Sequence, residues 1–198
     1  MTTQTRTSEL EAVNTILSTI GESPLNTLSG SLPVDGTIAK NVLSEVSREV
    51  QSQGWHFNTH YKVSLSRDTD NKIPLATNIV RVEIDPRQYS KVSYDIVQRN
   101  NFLYNLAKNE DTFDTNFKDA TAVYLLPFDE IPEQAKRYIT IRSARIFHDR
   151  TLGANTIHKF SQEDEAKALS ILKQAESHTG DYSIFDTPEQ AYTIIRGN

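Results

Sequence analysis

The apolar residues of this chain change period twice, and that change decides which architectures are open to it. Leu10, Val13, Ile16, Leu17 and Ile20 recur at helical spacing, as do Ile38, Val42, Val46 and Val50, with Leu43 broadening the second stripe. From about 60 to 127 the pattern breaks into short runs rich in β-branched and aromatic residues: Tyr61–Ser66, Asn78–Asp85, Lys91–Gln98, Phe102–Ala107 and Thr121–Leu126. Turn formers separate them, among them Asp68 to Asn71, Asp85-Pro86 and Asn100-Asn101. Helical spacing then returns. Two helices, a block of strands and two more helices exclude an alternating α/β sheet. The expectation is an α+β fold, a four-helix bundle (1–59 and 128–180) with an inserted antiparallel β module (60–127) and an extended C-terminal tail (181–198).

Punctuation residues set the helix limits. Ser8-Glu9-Leu10-Glu11 reads as a capping box, and Gly21 with Pro24 closes a first helix over about 8–20. Asp35 is placed to cap the second, and Gly54 ends it. Pro132 fits the first turn of the third, with Glu133 near its positive end. Tyr138, Ile139, Ile141, Ala144, Ile146 and Phe147 do not keep to one stripe, so this helix is expected to be covered on more than one side. Ser161 caps the fourth helix, whose inward stripe is read as Ala166, Leu169, Leu172 and Ala175.

Composition narrows the chemistry. The 198 residues suit one compact domain with an insertion, and there are no cysteines, hence no disulfide, cysteine-based metal site or thiol nucleophile. A net charge of −5 argues against a protein built to grip nucleic-acid phosphates. No run of 18 apolar residues crosses a membrane, and the first residues lack the apolar core of a signal peptide, so synthesis and assembly in the cytosol are expected. The seven glycines write neither a P-loop nor a dinucleotide fingerprint. His56 and His60 lack a third ligand nearby, and Ser143 and Ser161 lack a nucleophile elbow. Glu163, Asp164 and Glu165 suit the first turn of a helix better than glycoside cleavage. No cofactor, metal or catalytic group is expected.

Three features point to packing and partners. Trp55, the only tryptophan, and Phe57 stand between a helix stop and the first strand, where a buried wedge is favoured over a stacking platform for a ligand. Arg137, Arg142, Arg145 and Arg150 cluster on the third helix, for contact with phosphate or a partner, or for ion pairs with bundle acids or a neighbouring subunit. The tail carries Tyr182, Ile184, Phe185, Tyr192, Ile194 and Ile195 beyond the last helix, more apolar area than a free end needs, which favours docking on another chain.

Four segments also carry a resemblance. EAVNTILSTIGESPLNTL (11–28), QSQGWHFN (51–58), DEIPE (129–133) continuing through Arg137-Tyr138-Ile139 to Phe147, and QEDEA (162–166) stand in matching order and spacing. Together they resemble the tail tubular protein A family of T7-like short-tailed bacteriophages, which has a similar Gln-Ser-Arg-Gly-Trp-x-Phe-Asn run after its second helix. Residues 60–127 match poorly. The resemblance implies a virion tail protein without catalysis, assembled in the bacterial host cytoplasm: a head–tail connector adaptor, or gatekeeper. It implies a homo-oligomeric ring of twelve beneath the portal protein and above the nozzle made by tail tubular protein B, with tail fibres near the lower junction. Such a ring retains the genome and passes the double-stranded DNA on during ejection without specific binding. In that setting Trp55, Phe57, Tyr138 and Phe147 are expected to hold bundle to β module, and Arg137, Arg142 and Arg145 to pair within or between subunits. Tyr182, Ile184, Phe185, Tyr192 and Ile195 would dock the tail on the portal or a neighbour, and the β module would face the nozzle and fibres. The rival readings are a tail-associated polysaccharide- or peptidoglycan-degrading hydrolase and an unassembled regulatory or scaffolding protein.

Overall fold

The computed structural model describes residues 5–85, 87–90, 92–153 and 160–180. Among the described residues the fold is α+β, with four α-helices and two small antiparallel sheets. The helices are α1 (Glu9–Leu17), α2 (Val34–Gln51), α3 (Glu133–Leu152) and α4 (Gln162–Gly180). The strands are β1 (Thr59–Leu65), β2 (Ile79–Glu83), β3 (Ile96–Arg99), β4 (Phe102–Asn105) and β5 (Phe117–Tyr124). One sheet has the order β1-β5-β2, and β3 and β4 pair as a hairpin.

Helix α3 is the hub, packed by α1, α2 and α4. This explains its broad apolar distribution: Ala135, Ile139, Ile141, Ala144 and Phe147 are all buried, on faces that meet different partners. Those faces are used inside the chain and are closed to any partner. Helices α2 and α3 run antiparallel, because Glu49 meets Arg142 while Glu45, one turn earlier, meets Arg150. Helix α4 turns Leu169 and Leu172 of the expected stripe to the helical cluster, with Ala168 buried beside them, whereas Ala166 is exposed and Glu165 next to it turns inward to an ion pair.

The caps divide into two kinds. Ser8 and Glu11 form the expected capping box, and Ser161 and Asp164 form its counterpart, with the Asp164 N–H donating to Ser161 Oγ at 3.1 Å. Asp35 is not a cap. Helix α2 starts at Val34 behind Pro33, and Asp35 lies in the first turn, where its charge suits the helix dipole. Pro132 likewise stands just before α3 as its N-cap.

A second hydrophobic cluster lies among the strands, centred on the fully buried Phe117. Tyr89, Tyr94 and Phe113 meet its ring edge to face at centroid distances of 4.9, 5.3 and 5.4 Å. The β3–β4 turn is Asn100-Asn101, both with positive φ (49° and 61°), the geometry of a two-residue hairpin. β5 begins four residues before the run that suggested it. Asp119 takes φ 58° within a strand whose pairing with β1 is irregular, and the strand continues through it.

Gly54 is fixed by both backbone and space. Its φ is +78°, and a Cβ there would sit 2.4 Å from Arg81 Nη2 and 3.1 Å from Val123 Cγ2. The arginine end can swing away, but the buried valine cannot. Gly54→Ala is therefore expected to cost about 1–3 kcal/mol, the left-handed conformation supplying about 1–2 of it. Urea denaturation measures this, and an unchanged midpoint would refute the account.

Candidate functional site: the helix–sheet junction and the arginine face

The chain crosses between the two hydrophobic clusters twice, once after α2 and once after β5, and two buried amides tie the crossings together. Asn58 is fully buried in a 3-10 turn, His56–Asn58. Its Nδ2 donates to the carbonyls of Gln51 at 2.9 Å and Tyr124 at 2.7 Å, while its Oδ1 accepts the Trp55 N–H at 2.8 Å. Gln51, also buried, donates through Nε2 to the Leu126 carbonyl at 3.0 Å and accepts the Leu126 N–H through Oε1 at 2.8 Å. The side chain thus forms a two-way amide pair with the departing strand, as a neighbouring strand would. Backbone groups at a crossing lose their sheet partners, and these amides replace them.

Trp55 donates its indole N–H to the Val50 carbonyl at 2.7 Å, and Trp55 and Phe57, both partly buried, pack against the helical cluster. The indole's polar atom is thus spent inside the fold. Tyr138 and Phe147 are buried within that cluster on α3. The His56 N–H donates to Glu176 near the end of α4 at 2.5 Å, so α4 also reaches the junction. Sequence reasoning singled out the aromatics and passed over Gln51 and Asn58. The available signal was two amides seven residues apart flanking a glycine at a change of period.

The arginine face lies where α2, α3 and α4 meet. Arg142 spans two helices, donating through Nη1 to Glu165 at 2.7 Å and through Nη2 to Glu49 at 2.7 Å. Arg145 donates through Nε to the other Glu165 oxygen at 2.6 Å. Arg150 makes a forked pair with Glu45 at 2.8 and 2.9 Å. Burial pushes the Glu165 carboxyl up, yet hydrogen bonds from Arg145 and Arg142, with both positive charges, bring it below the ordinary glutamate range. Arg137 stands apart, its guanidinium 5.5 Å from the centre of the Phe160 ring. These pairs lie within one chain and clamp α2 and α4 onto α3.

Comparison with known proteins now bears on this geometry. The family model described as tail tubular protein matches residues 10–182, spanning both helical pairs and the strands between them. This chain belongs to the tail tubular protein family. Tail tubular protein A of Klebsiella phage KP34 is 27% identical over 167 residues, covering 84% of this chain and 86% of that protein. A tail tubular protein is a structural component of a phage tail and works by assembling with other tail proteins.

The remaining sequence candidates of this tail tubular protein have structural surroundings. His60 packs against Tyr124 in a tilted ring contact, 4.5 Å between centroids. Ser143 is fully buried on α3, and Ser161 is spent as a cap. Of the acidic run opening α4, Asp164 serves that cap and Glu165 the two arginines. Among the described residues no three His, Asp or Glu side chains group as metal ligands, and no helix is long and apolar enough to cross a membrane. Tyr182, Ile184, Phe185, Tyr192 and Ile195 lie outside the described residues.

Proposed function

We propose that this tail tubular protein is the adaptor of the head–tail connector, a ring of copies between portal and nozzle that helps retain the genome and channels it at ejection. The helices act as one four-helix bundle (1–59 and 128–180), the strands (60–127) as a separate module facing nozzle and fibres, and residues 181–198 as a docking tail. Trp55 and Phe57 hold the two parts in register at the junction, Tyr138 and Phe147 fill the helical core behind them, and Arg137, Arg142 and Arg145 stiffen the bundle.

The observation that carries this reading is the two-ended build of the subunit. At the end of the helices farthest from the strands, Val34 and Ile38 open α2 and Leu152 closes the antiparallel α3, with exposures of 74%, 40% and 50%. Exposed apolar side chains gathered at one end suit contact with another protein. The other end carries the strand module, with a hydrophobic cluster of its own. A subunit with a distinct contact surface at each end suits a spacer between two different rings. Heterologous contacts around the flanks close a ring of such subunits. The charge agrees with passage of DNA without adhesion: the nine acidic residues of 60–127 are matched by nine basic ones, so the excess acid lies in the helices and tail.

Purified protein mixed with portal rings of the same phage and imaged by electron microscopy is expected to add a ring of density to one face of the portal. Portals that remain bare would refute the adaptor reading. Clearing of host cell wall or capsule in a zymogram would show a hydrolase instead.

A further inference from the structure

The structure places the start of the tail and a hollow able to receive it on opposite flanks of the same subunit, and we propose that residues 181–198 of each copy occupy this hollow on the next copy around the ring. The proposal rests on the ring reading and adds the partner of the tail.

Helix α4 fixes where the tail begins. Glu165, near its start, meets Arg142 and Arg145, whereas Glu176, near its end, accepts the His56 N–H. The chain is therefore delivered at the helix–sheet junction, away from the apolar end formed by Val34, Ile38 and Leu152. A tail beginning there starts at mid-height in the ring, level with the neighbouring junction.

The hollow lies at that height. It measures ≈ 260 Å³ and lies between α2, the start of α1 and the chain leaving β5, its lining including Glu9, Leu43, Ser44, Arg48, Leu126 and Phe128. Its flank follows from helix geometry. Glu45 and Glu49 on α2 face the arginines that also hold α4. At 3.6 residues per turn, the face of α2 carrying Leu43, Ser44, Ser47, Arg48 and Gln51 lies about 150° around from those glutamates. The hollow thus opens away from α4, and a chain's own tail would have to wrap around its own bundle to enter it. In a head-to-tail ring the opposite flanks of adjacent copies face each other, so the neighbour's tail meets the hollow directly. Length is sufficient: the eighteen residues after Gly180 span up to roughly 60 Å when extended, more than the width of one helical bundle. Chemistry agrees as well. The leucines and Phe128 suit the Tyr182, Ile184 and Phe185 side chains, and Ser44 and Arg48 supply polar partners at the rim.

The test installs a photoreactive phenylalanine at Phe185 and assembles connectors on portal rings from a mixture of light and isotopically heavy subunits. After irradiation, mass spectrometry is expected to find Phe185 joined to 43–48 or 125–128, in peptide pairs that mix light and heavy chains. Ser44→Trp, a change at an exposed position that fills the hollow, should reduce that product at least tenfold while leaving the subunit's thermal melting unchanged. Links within one chain, links to the portal, or no link to the hollow in preparations where rings are visible would each overturn the proposal. Absence of rings for the unmodified protein would instead count against the adaptor reading, so the two failures are distinguishable.

Discussion

Replacing Asn58 by alanine is expected to remove about 3–5 kcal/mol of stability. The side chain is fully buried and makes three hydrogen bonds, to the carbonyls of Gln51 and Tyr124 and from the Trp55 N–H. Truncation takes that partner from one buried and two partly buried backbone groups, and each orphaned group costs about 1–3 kcal/mol, relieved where a water can enter. Asp in the same place is a sharper variant. It keeps the acceptor for Trp55 but turns its second oxygen toward two carbonyls, so it should destabilise at least as much as alanine despite being nearly isosteric. Gln51→Ala should behave similarly but more mildly, because its exchange with Leu126 replaces one donor and one acceptor. Urea denaturation of the three variants measures the ranking. A loss below about 1 kcal/mol for Asn58→Ala would mean that the crossings are held by the aromatic wedge alone.

The contrast between these amides and the aromatics shows what a sequence makes legible. Apolar period exposes any element that buries one face, so the four helices and most strands could be placed from Leu10 to Leu172. Ser8, Ser161 and Asn100-Asn101 were readable because capping and tight turns demand particular residue types within a few positions. Asp35 misled because a side chain suited to capping also suits the first turn, and the backbone at Pro33 decided between them. The start of β5 escaped the pattern because its first residues, Phe117 to Ala120, include Asp119 at positive φ where the pairing with β1 is irregular. Gln51 and Asn58 were hidden for a different reason. Their partners Tyr124 and Leu126 lie more than sixty positions away, and the local signal, two amides on either side of Gly54, does not say which distant backbone groups they meet. The arginines fall between: their clustering on α3 was visible, but their partners Glu45, Glu49 and Glu165 depend on which faces α2 and α4 turn inward.

Those partners carry the second large effect, which depends on pH. Glu165→Gln is expected to cost about 2 kcal/mol near pH 7, because one carboxylate with 12% of its side chain exposed receives two charged hydrogen bonds and the amide returns only neutral ones. Arg142 keeps Glu49 and Arg145 keeps Asp149, which holds the loss below that of a fully stranded buried pair. The sign follows from the direction of the shift. The folded-state carboxyl of Glu165 lies below its unfolded value, as do those of Glu45, held down by Arg150, and Asp164, held down by Ser161. Stability from such groups is fully present above the unfolded values, about 4, and is lost as pH falls through the lower folded ones. The wild-type urea midpoint should therefore be flat from neutral pH to about 5 and drop below about 4. The Glu165→Gln protein should start lower and drop less, so that the two curves converge in acid. A gap between them as wide at pH 3 as at pH 7 would show that Glu165 serves by shape and neutral hydrogen bonding, and that its charge does not clamp α4 to α3.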